Sequence, residues 1–183
     1  STLTVTSGSS TLSLPNADSN FTNGLEALVI NAGNGADLIT IADINDVGSI
    51  LIVANGQNGD DTITAAGAML GLAQLQIDGG NGNDVLTGSN DAETLLGNAG
   101  DDSLTGGDGD DTLLGGDGQD VLAGDGGNDV MQGNAGNDTL DAGTGDDTVE
   151  GNDGSDVLNG ADGNDSLSGG TGDDVLDGKQ GDD

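Results

Sequence analysis

From Asp78 to the last residue the chain can be written in blocks of nine without a slip: DGGNGNDVL, TGSNDAETL, LGNAGDDSL and onward to DGKQGDD. A register held this long forces small units that bury their apolar side chains only against neighbouring copies of themselves. The ninth position is always apolar: Leu86, Leu95, Leu104, Leu113, Leu122, Met131, Leu140, Val149, Leu158, Leu167 and Leu176. The seventh is always acidic, with Glu93 in the second block and Asp in every other. The second position is Gly except at Ala142 and the fifth is Gly except at Asp91, so each block is expected to open with backbone at positive φ. The eighth is Val, Thr or Ser, which suits a short strand with a wet outer face. Each block reads as a six-residue turn followed by about three strand residues.

Composition removes several alternatives. A single aromatic residue, Phe21, and 37 glycines rule out a broad core. The charge of −33, from 34 acids against Lys179 alone, repels polyanions, so nucleic acid and anionic membrane are excluded as partners. Without Cys there is neither a disulfide nor a thiolate site, and without His the usual zinc ligand and general base are missing. No segment approaches the ~20 apolar residues of a membrane span, and residues 1–24 do not read as a signal peptide, so the chain is expected to be an internal piece of a longer protein. So acidic a composition also fits a disordered tail. The fixed spacing argues against that.

The blocks resemble the glycine-rich nonapeptide GGxGxDxUx of RTX proteins, without a gap over 78–183 and with looser copies in NAGNGADLI (31–39) and ANGQNGDDTI (54–63). The resemblance implies an all-β, right-handed parallel β-roll or β-helix solenoid, with two blocks per coil and several Ca²⁺ ions between the turns of adjacent coils. Carried onto this chain, the side-chain ligands are Asp37, Asp61, Asp84, Asp102, Asp111, Asp120, Asp129, Asp138, Asp147, Asp156, Asp165 and Asp174. Turn carbonyls complete the shell, at Gly80, Gly82, Asn98, Gly100, Gly107, Gly109, Gly116, Gly118, Gly127, Gly136, Gly145, Gly154, Gly163 and Gly172. Glu93, beside Asp91 in place of the turn glycine, and Asp183, in the truncated last turn, are the rungs expected to bind weakly or not at all.

Physical chemistry points the same way. Coils stacked about 4.8 Å apart bring successive carboxylates together, at about 3 kcal/mol per contact for an effective dielectric of 20. A divalent cation reverses that sign. Hard oxygen ligands on a flexible loop suit Ca²⁺ better than Mg²⁺, and binding and folding are expected to be one event. The plainer reading is that Asp merely closes turns. It accounts for Asn98, Asn134 and Asn152 at the third position, but not for an acid in all twelve seventh positions.

Before residue 78 the coils are expected to be wider, because turn aspartates lie 24 apart from Asp37 to Asp61, 23 from Asp61 to Asp84 and 18 from Asp84 to Asp102. LEALVINAGNGADLI, ILIVANGQNGDDTI and LAQLQIDGGNGNDVL are aligned with Ile30, Val53 and Ile77 in one apolar column and Leu28, Leu51 and Leu75 in another, alternating with Val29, Ile52 and Gln76. The organisation expected is a lead-in over 1–24, a hairpin or an irregular first coil, then wide coils over 25–77 and the nonapeptide roll over 78–183.

The function expected is a calcium-binding structural module of an extracellular or cell-surface bacterial protein, of adhesin, surface-layer or toxin type. By resemblance it is secreted unfolded, by a type I route, and folds on meeting calcium outside. Its partners are calcium ions, with neighbouring copies or flanking domains as further candidates. The alternative is the repeat region of a secreted enzyme whose catalytic domain lies elsewhere, since no His, Cys, Tyr, HExxH or GxSxG is present. Ligand or ice binding on a flat face ranks below both, because the eighth-position column Thr94, Thr112, Val130, Thr148, Ser166 is only partly regular.

Overall fold

The computed structural model describes residues 2–6, 12–14, 27–42, 50–66 and 73–183. Strands β1 (Thr2–Thr6) and β2 (Leu12–Leu14) come first, followed by β3 (Ala27–Asn34), β4 (Leu38–Ala42), β5 (Ile50–Asn58), β6 (Thr62–Ala66), β7 (Ala73–Asn81) and β8 (Val85–Thr87). The nonapeptide coils supply β9 (Glu93–Ala99), β10 (Ser103–Asp108), β11 (Thr112–Asp117), β12 (Val121–Gly126) and β13 (Val130–Ala135). They continue with β14 (Thr139–Thr144), β15 (Thr148–Asp153), β16 (Val157–Asp162), β17 (Ser166–Thr171) and β18 (Val175–Asp177). Odd and even strands form two nine-stranded sheets, each pairing in chain order and in parallel, so every coil adds one strand to each sheet. This is the parallel solenoid expected. β1 pairs with β3 and β2 with β4 in parallel, the arrangement of a first coil and not of a hairpin; the rest of the lead-in lies outside the described residues.

The core is two files of side chains, one per sheet. Ile39, Ile63, Leu86, Leu104, Leu122, Leu140 and Leu158 stack under the even strands, and Ile30, Ala54, Ile77, Leu95, Leu113, Met131 and Val149 under the odd ones. Leu176, in the edge strand β18, is 46% exposed. The wide coils add a file, Leu28, Ile52 and Leu75, and here the alignment read from sequence needs correcting. Leu28 pairs with Ile52 and Ile30 with Ala54; Leu51 and Val53 face outward, Leu51 being 37% exposed against 0% for Ile52 and Ala54. A one-residue slip turns every side chain of a strand to the other face. The turn fixes the true register, since Asn58 aligns with Asn34 and Asp61 reaches back to Asp37, which places Ala54 under Ile30.

Positive φ is also distributed differently from the expectation. It falls at the third and fifth positions, not the second: Asn98 (78°), Asp125 (70°), Asn134 (77°), Asn152 (77°) and Ala161 (68°) are third, while Gly100 (133°), Gly118 (146°) and Gly136 (146°) are fifth. Asn tolerates this region better than other residues with a Cβ, which explains its recurrence at the third position. Ala161 has no such dispensation. Replacing it with Gly is expected to raise the stability of the calcium-saturated roll by about 0.5–1 kcal/mol, the relief of left-handed strain less the greater chain entropy of Gly, read as a higher melting temperature.

Candidate metal centre

Each seventh-position residue sits where a turn hands the chain from one sheet to the other. The acids therefore form two ladders, one per edge of the roll. Asp37, Asp61, Asp84, Asp102, Asp120, Asp138, Asp156 and Asp174 follow the odd strands, and Glu93, Asp111, Asp129, Asp147, Asp165 and Asp183 follow the even ones. All from Asp37 to Asp165 are buried, Asp102, Asp120 and Asp138 to 2% exposure or less. One carboxylate oxygen is accounted for: Oδ1 of each ladder Asp from Asp61 to Asp183 accepts the backbone N–H of the rung one coil earlier, as from Asp84 to Asp102 (2.7 Å) and from Asp111 to Asp129 (2.8 Å). The other is not. Oδ2 of Asp61, Asp84, Asp102, Asp111, Asp120, Asp129, Asp138, Asp147, Asp156 and Asp165 is buried with no hydrogen-bond partner. A buried polar atom left unsatisfied costs about 1–3 kcal/mol, more when charged, so a repeated series of them calls for a ligand.

The second-position glycine shows where that ligand belongs. A Cβ on Gly97 would run into Asp102 Oδ2 and stand 2.5 Å from the carbonyl oxygen of Gly115 in the next coil. Gly106 is bordered in the same way by Asp111 Oδ2 and Gly124 O, and Gly115 by Asp120 Oδ2 and Gly133 O. These glycines are required for space, and the space they leave is lined by one carboxylate and one carbonyl oxygen. The carbonyls beside the orphaned Oδ2 atoms are thus those of second-position residues, which are absent from the ligand set expected from sequence. Their signal was present in the repeat as glycine, taken there for its φ and not for its missing Cβ. The third- and fifth-position carbonyls lie instead toward the equivalent backbone of the next coil: Gly118 O meets Gly136, and Asn98 O meets Gly116. No three acid side chains converge among the described residues, so backbone carbonyl oxygens are the further protein donors beside each carboxylate. Hard, neutral and anionic oxygens in a turn are the donor set Ca²⁺ takes, and the ladder fits that ion.

Outside the ladders the chain keeps its acids apart. In the sixth-position column on the second edge the order is Asp110, Asn128, Asp146, Asn164, Asp182, each side-chain oxygen accepting the N–H of the next, as Asn128 from Asp146 at 2.8 Å. The first edge runs Asp60, Asn83, Asp101, Gln119, Asn137, Ser155, Asp173. The fourth-position column alternates Ala99, Asp117, Ala135, Asp153, Thr171. Among the described residues, acids one coil apart in register occur only at the ladder position. Like charges stacked across strands are destabilising, and every other column avoids them. The buried column alone stacks them.

Burial, and then neighbouring acids, push up the carboxyls of the interior rungs Asp61, Asp84, Asp102, Asp111, Asp120, Asp129, Asp138 and Asp147, against the opposing effect of the backbone N–H each one accepts. Asp84, Asp129 and Asp138 rise to about 6, and Asp102 and Asp111 to about 7. Groups with raised folded-state pKa add stability that is complete below their unfolded value near 4 and is lost as pH climbs through the folded value. The calcium-free chain is therefore expected to gain β structure as pH falls from about 7 toward 4, measured by circular dichroism in chelator; a spectrum unchanged over that window would contradict the burial of these acids.

The family described as RTX calcium-binding nonapeptide repeat (4 copies) matches residues 76–92, 87–122, 114–149, 123–158 and 150–183. These segments together span 76–183, more than half the chain, and the chain belongs to this family of calcium-binding repeats. No curated protein and no solved structure matches it.

Proposed function

We propose that the chain is a non-enzymatic structural module of a bacterial protein that works outside the cell or on its surface, and that its two acid ladders fold around calcium there. The observation that carries this reading is the contrast between columns. Acids are separated by neutral residues wherever they face water, yet stacked and buried with one oxygen unsatisfied at the ladder position. Secretion in the unfolded state agrees with a fold whose buried charges are compensated only where calcium is plentiful.

Eight rungs on the first edge leave seven gaps between coils, and six on the second leave five. On the second edge the column that becomes the ladder begins as Leu28, Ile52 and Leu75, paired onward to Glu93, so cations on that edge start only after the coil narrows. Calcium counted by native mass spectrometry is expected to approach, and not exceed, twelve ions, the sum of seven and five gaps. Mg²⁺ at equal concentration is expected to give little occupancy, because it demands octahedral geometry and holds its water. A chain that binds one or two ions, or Mg²⁺ as readily as Ca²⁺, would overturn the ladder.

Recognition by a flat face gains one observation. The outer face of the even sheet carries Thr40, Thr64, Thr87 and Thr105 in a single column, more regular than the odd-sheet column weighed from sequence. Ala123 and then Asp141 end it.

A further inference from the structure

Glu93 departs from the other buried acids of its edge, Asp111, Asp129, Asp147 and Asp165, in the way its oxygens are used. Its Oε2 accepts the backbone N–H of Ser89 at 2.8 Å and its Oε1 accepts the Ser89 hydroxyl at 2.6 Å, and both contacts are buried. Ser89 Oγ in turn accepts the N–H of Asp91 at 3.3 Å. Neither carboxylate oxygen of Glu93 is left without a partner, whereas Asp111, next on the same edge, has its Oδ2 orphaned like those of Asp129, Asp147 and Asp165. The backbone of the turn accounts for the difference. Third-position residues from Gly80 to Lys179 adopt positive φ except Ser89, and fifth-position residues from Gly82 to Gly181 do so except Asp91. With the third residue out of the left-handed region its N–H is free to turn onto the acid of its own block. The longer Glu side chain supplies the reach.

The upper side of this turn is still a normal rung. The Glu93 N–H donates to Asp111 Oδ1 at 2.7 Å, so the hydrogen-bond ladder continues through the residue even though its carboxylate is closed. On the other side Glu93 pairs with Leu75, the last member of the apolar file. Glu93 thus stands where a hydrophobic column changes into a column of carboxylates. A side chain at that place must present a ladder N–H to Asp111 while tolerating an apolar neighbour that can ligate nothing.

We propose that Ser89 and Glu93 form a cation-free end stop for the second ladder: the hydroxyl and N–H of Ser89 satisfy the Glu93 carboxylate in place of calcium, and ions on that edge begin between Asp111 and Asp129. This rests on the calcium-ladder reading and refines it, lowering the second-edge count from five to four and the total from twelve to eleven. The end stop lets the roll begin its second ladder on an apolar coil without burying an uncompensated site. It also makes Glu93 a positioning residue and not a ligand.

Two measurements test it on the whole chain. Native mass spectrometry in calcium should count at most eleven ions for the natural chain, a number unchanged in Glu93→Gln, which keeps the shape and one acceptor oxygen toward Ser89. The triple change Ser89→Gly, Asp91→Gly, Glu93→Asp, which restores the repeat at all three positions, should add one ion. A calcium-saturated crystal structure with an anomalous map should show the gap between residues 93 and 111 empty and the gap between Asp111 and Asp129 filled. Density for calcium bound to Glu93, or the loss of an ion in Glu93→Gln, would overturn the end stop while leaving the ladder standing. Failure of the triple variant to gain an ion while still folding would count against it too. A natural chain whose gaps on both edges are empty in that map would sink the ladder itself, a result distinguishable from the others.

Discussion

In the presence of a chelator at neutral pH the chain is expected to lose most of its β structure, and to recover it cooperatively as calcium is added. The driving terms are unequal. Each interior nonapeptide coil contributes two buried ninth-position side chains to the core, while its two ladder acids sit buried against those of the coils above and below. Removing the cation leaves a series of carboxylates at one coil spacing in a low-dielectric setting, each contact unfavourable by about 3 kcal/mol at an effective dielectric of 20. The glycine-rich turns gain more freedom on unfolding than any other backbone would. The transition should centre at about 10⁻⁴–10⁻³ M calcium, sharpened by the sharing of rungs between adjacent gaps. Far-UV circular dichroism against calcium concentration measures it; a full β spectrum in chelator, with no change in melting temperature on adding calcium, would defeat it.

The second large effect separates position from charge. Asp120 is 1% exposed, accepts the N–H of Asp102 at 2.8 Å and leaves Oδ2 facing the space beside Gly115. Asp117, three residues earlier, is exposed and lies in a column between Ala99 and Ala135. Both substitutions to Ala remove one negative charge. Asp120→Ala is expected to weaken calcium binding about tenfold or more, since a buried hydrogen bond to a charged group alone is worth about 1.5–3 kcal/mol. Asp117→Ala should stay within about twofold, as surface changes usually do. Isothermal titration on the two variants is the comparison, and equal effects would mean that bulk acidity drives folding and not a coordinated ladder.

Much of this arrangement was legible in the chain itself, for a physical reason: a solenoid maps sequence spacing directly onto spatial stacking. The ninth-position file and the two acid columns needed only the nine-residue register. The wide coils were harder because both faces of β5 are apolar. Leu51, Ile52 and Val53 are equally good candidates for a core, and the small Ala54 gives no hydrophobic signal although it is fully buried. The alternation of Asp and Asn at the sixth position was hidden for a different reason. Read nine residues apart the position wanders, and only at eighteen, the length of a coil, do Asp110, Asn128, Asp146, Asn164 and Asp182 fall into order. Glu93 and Asp91 marked their turn as irregular in the sequence, but its closure by Ser89 could not be read there, because it depends on the direction of one N–H.

The inner hydrogen-bond ladder runs one way only: each ladder Asp from Asp61 onward receives its N–H from the coil before it, and each rung up to Asp165 gives its own to the coil after it. At this position the N–H of a coil is satisfied by its successor and never by its predecessor. The last three such bonds, from Asp147, Asp156 and Asp165, are 3.0 Å, against 2.7 Å for those from Asp37, Asp61 and Asp84. The roll is in this sense a polar filament with unlike tips. Whichever coil stands last carries two turn N–H groups with no carboxylate above them, so fraying belongs to that tip. Adding or deleting a coil moves the loose tip along by one repeat without altering its character, and the array can vary in length while its weakest point stays at the same end.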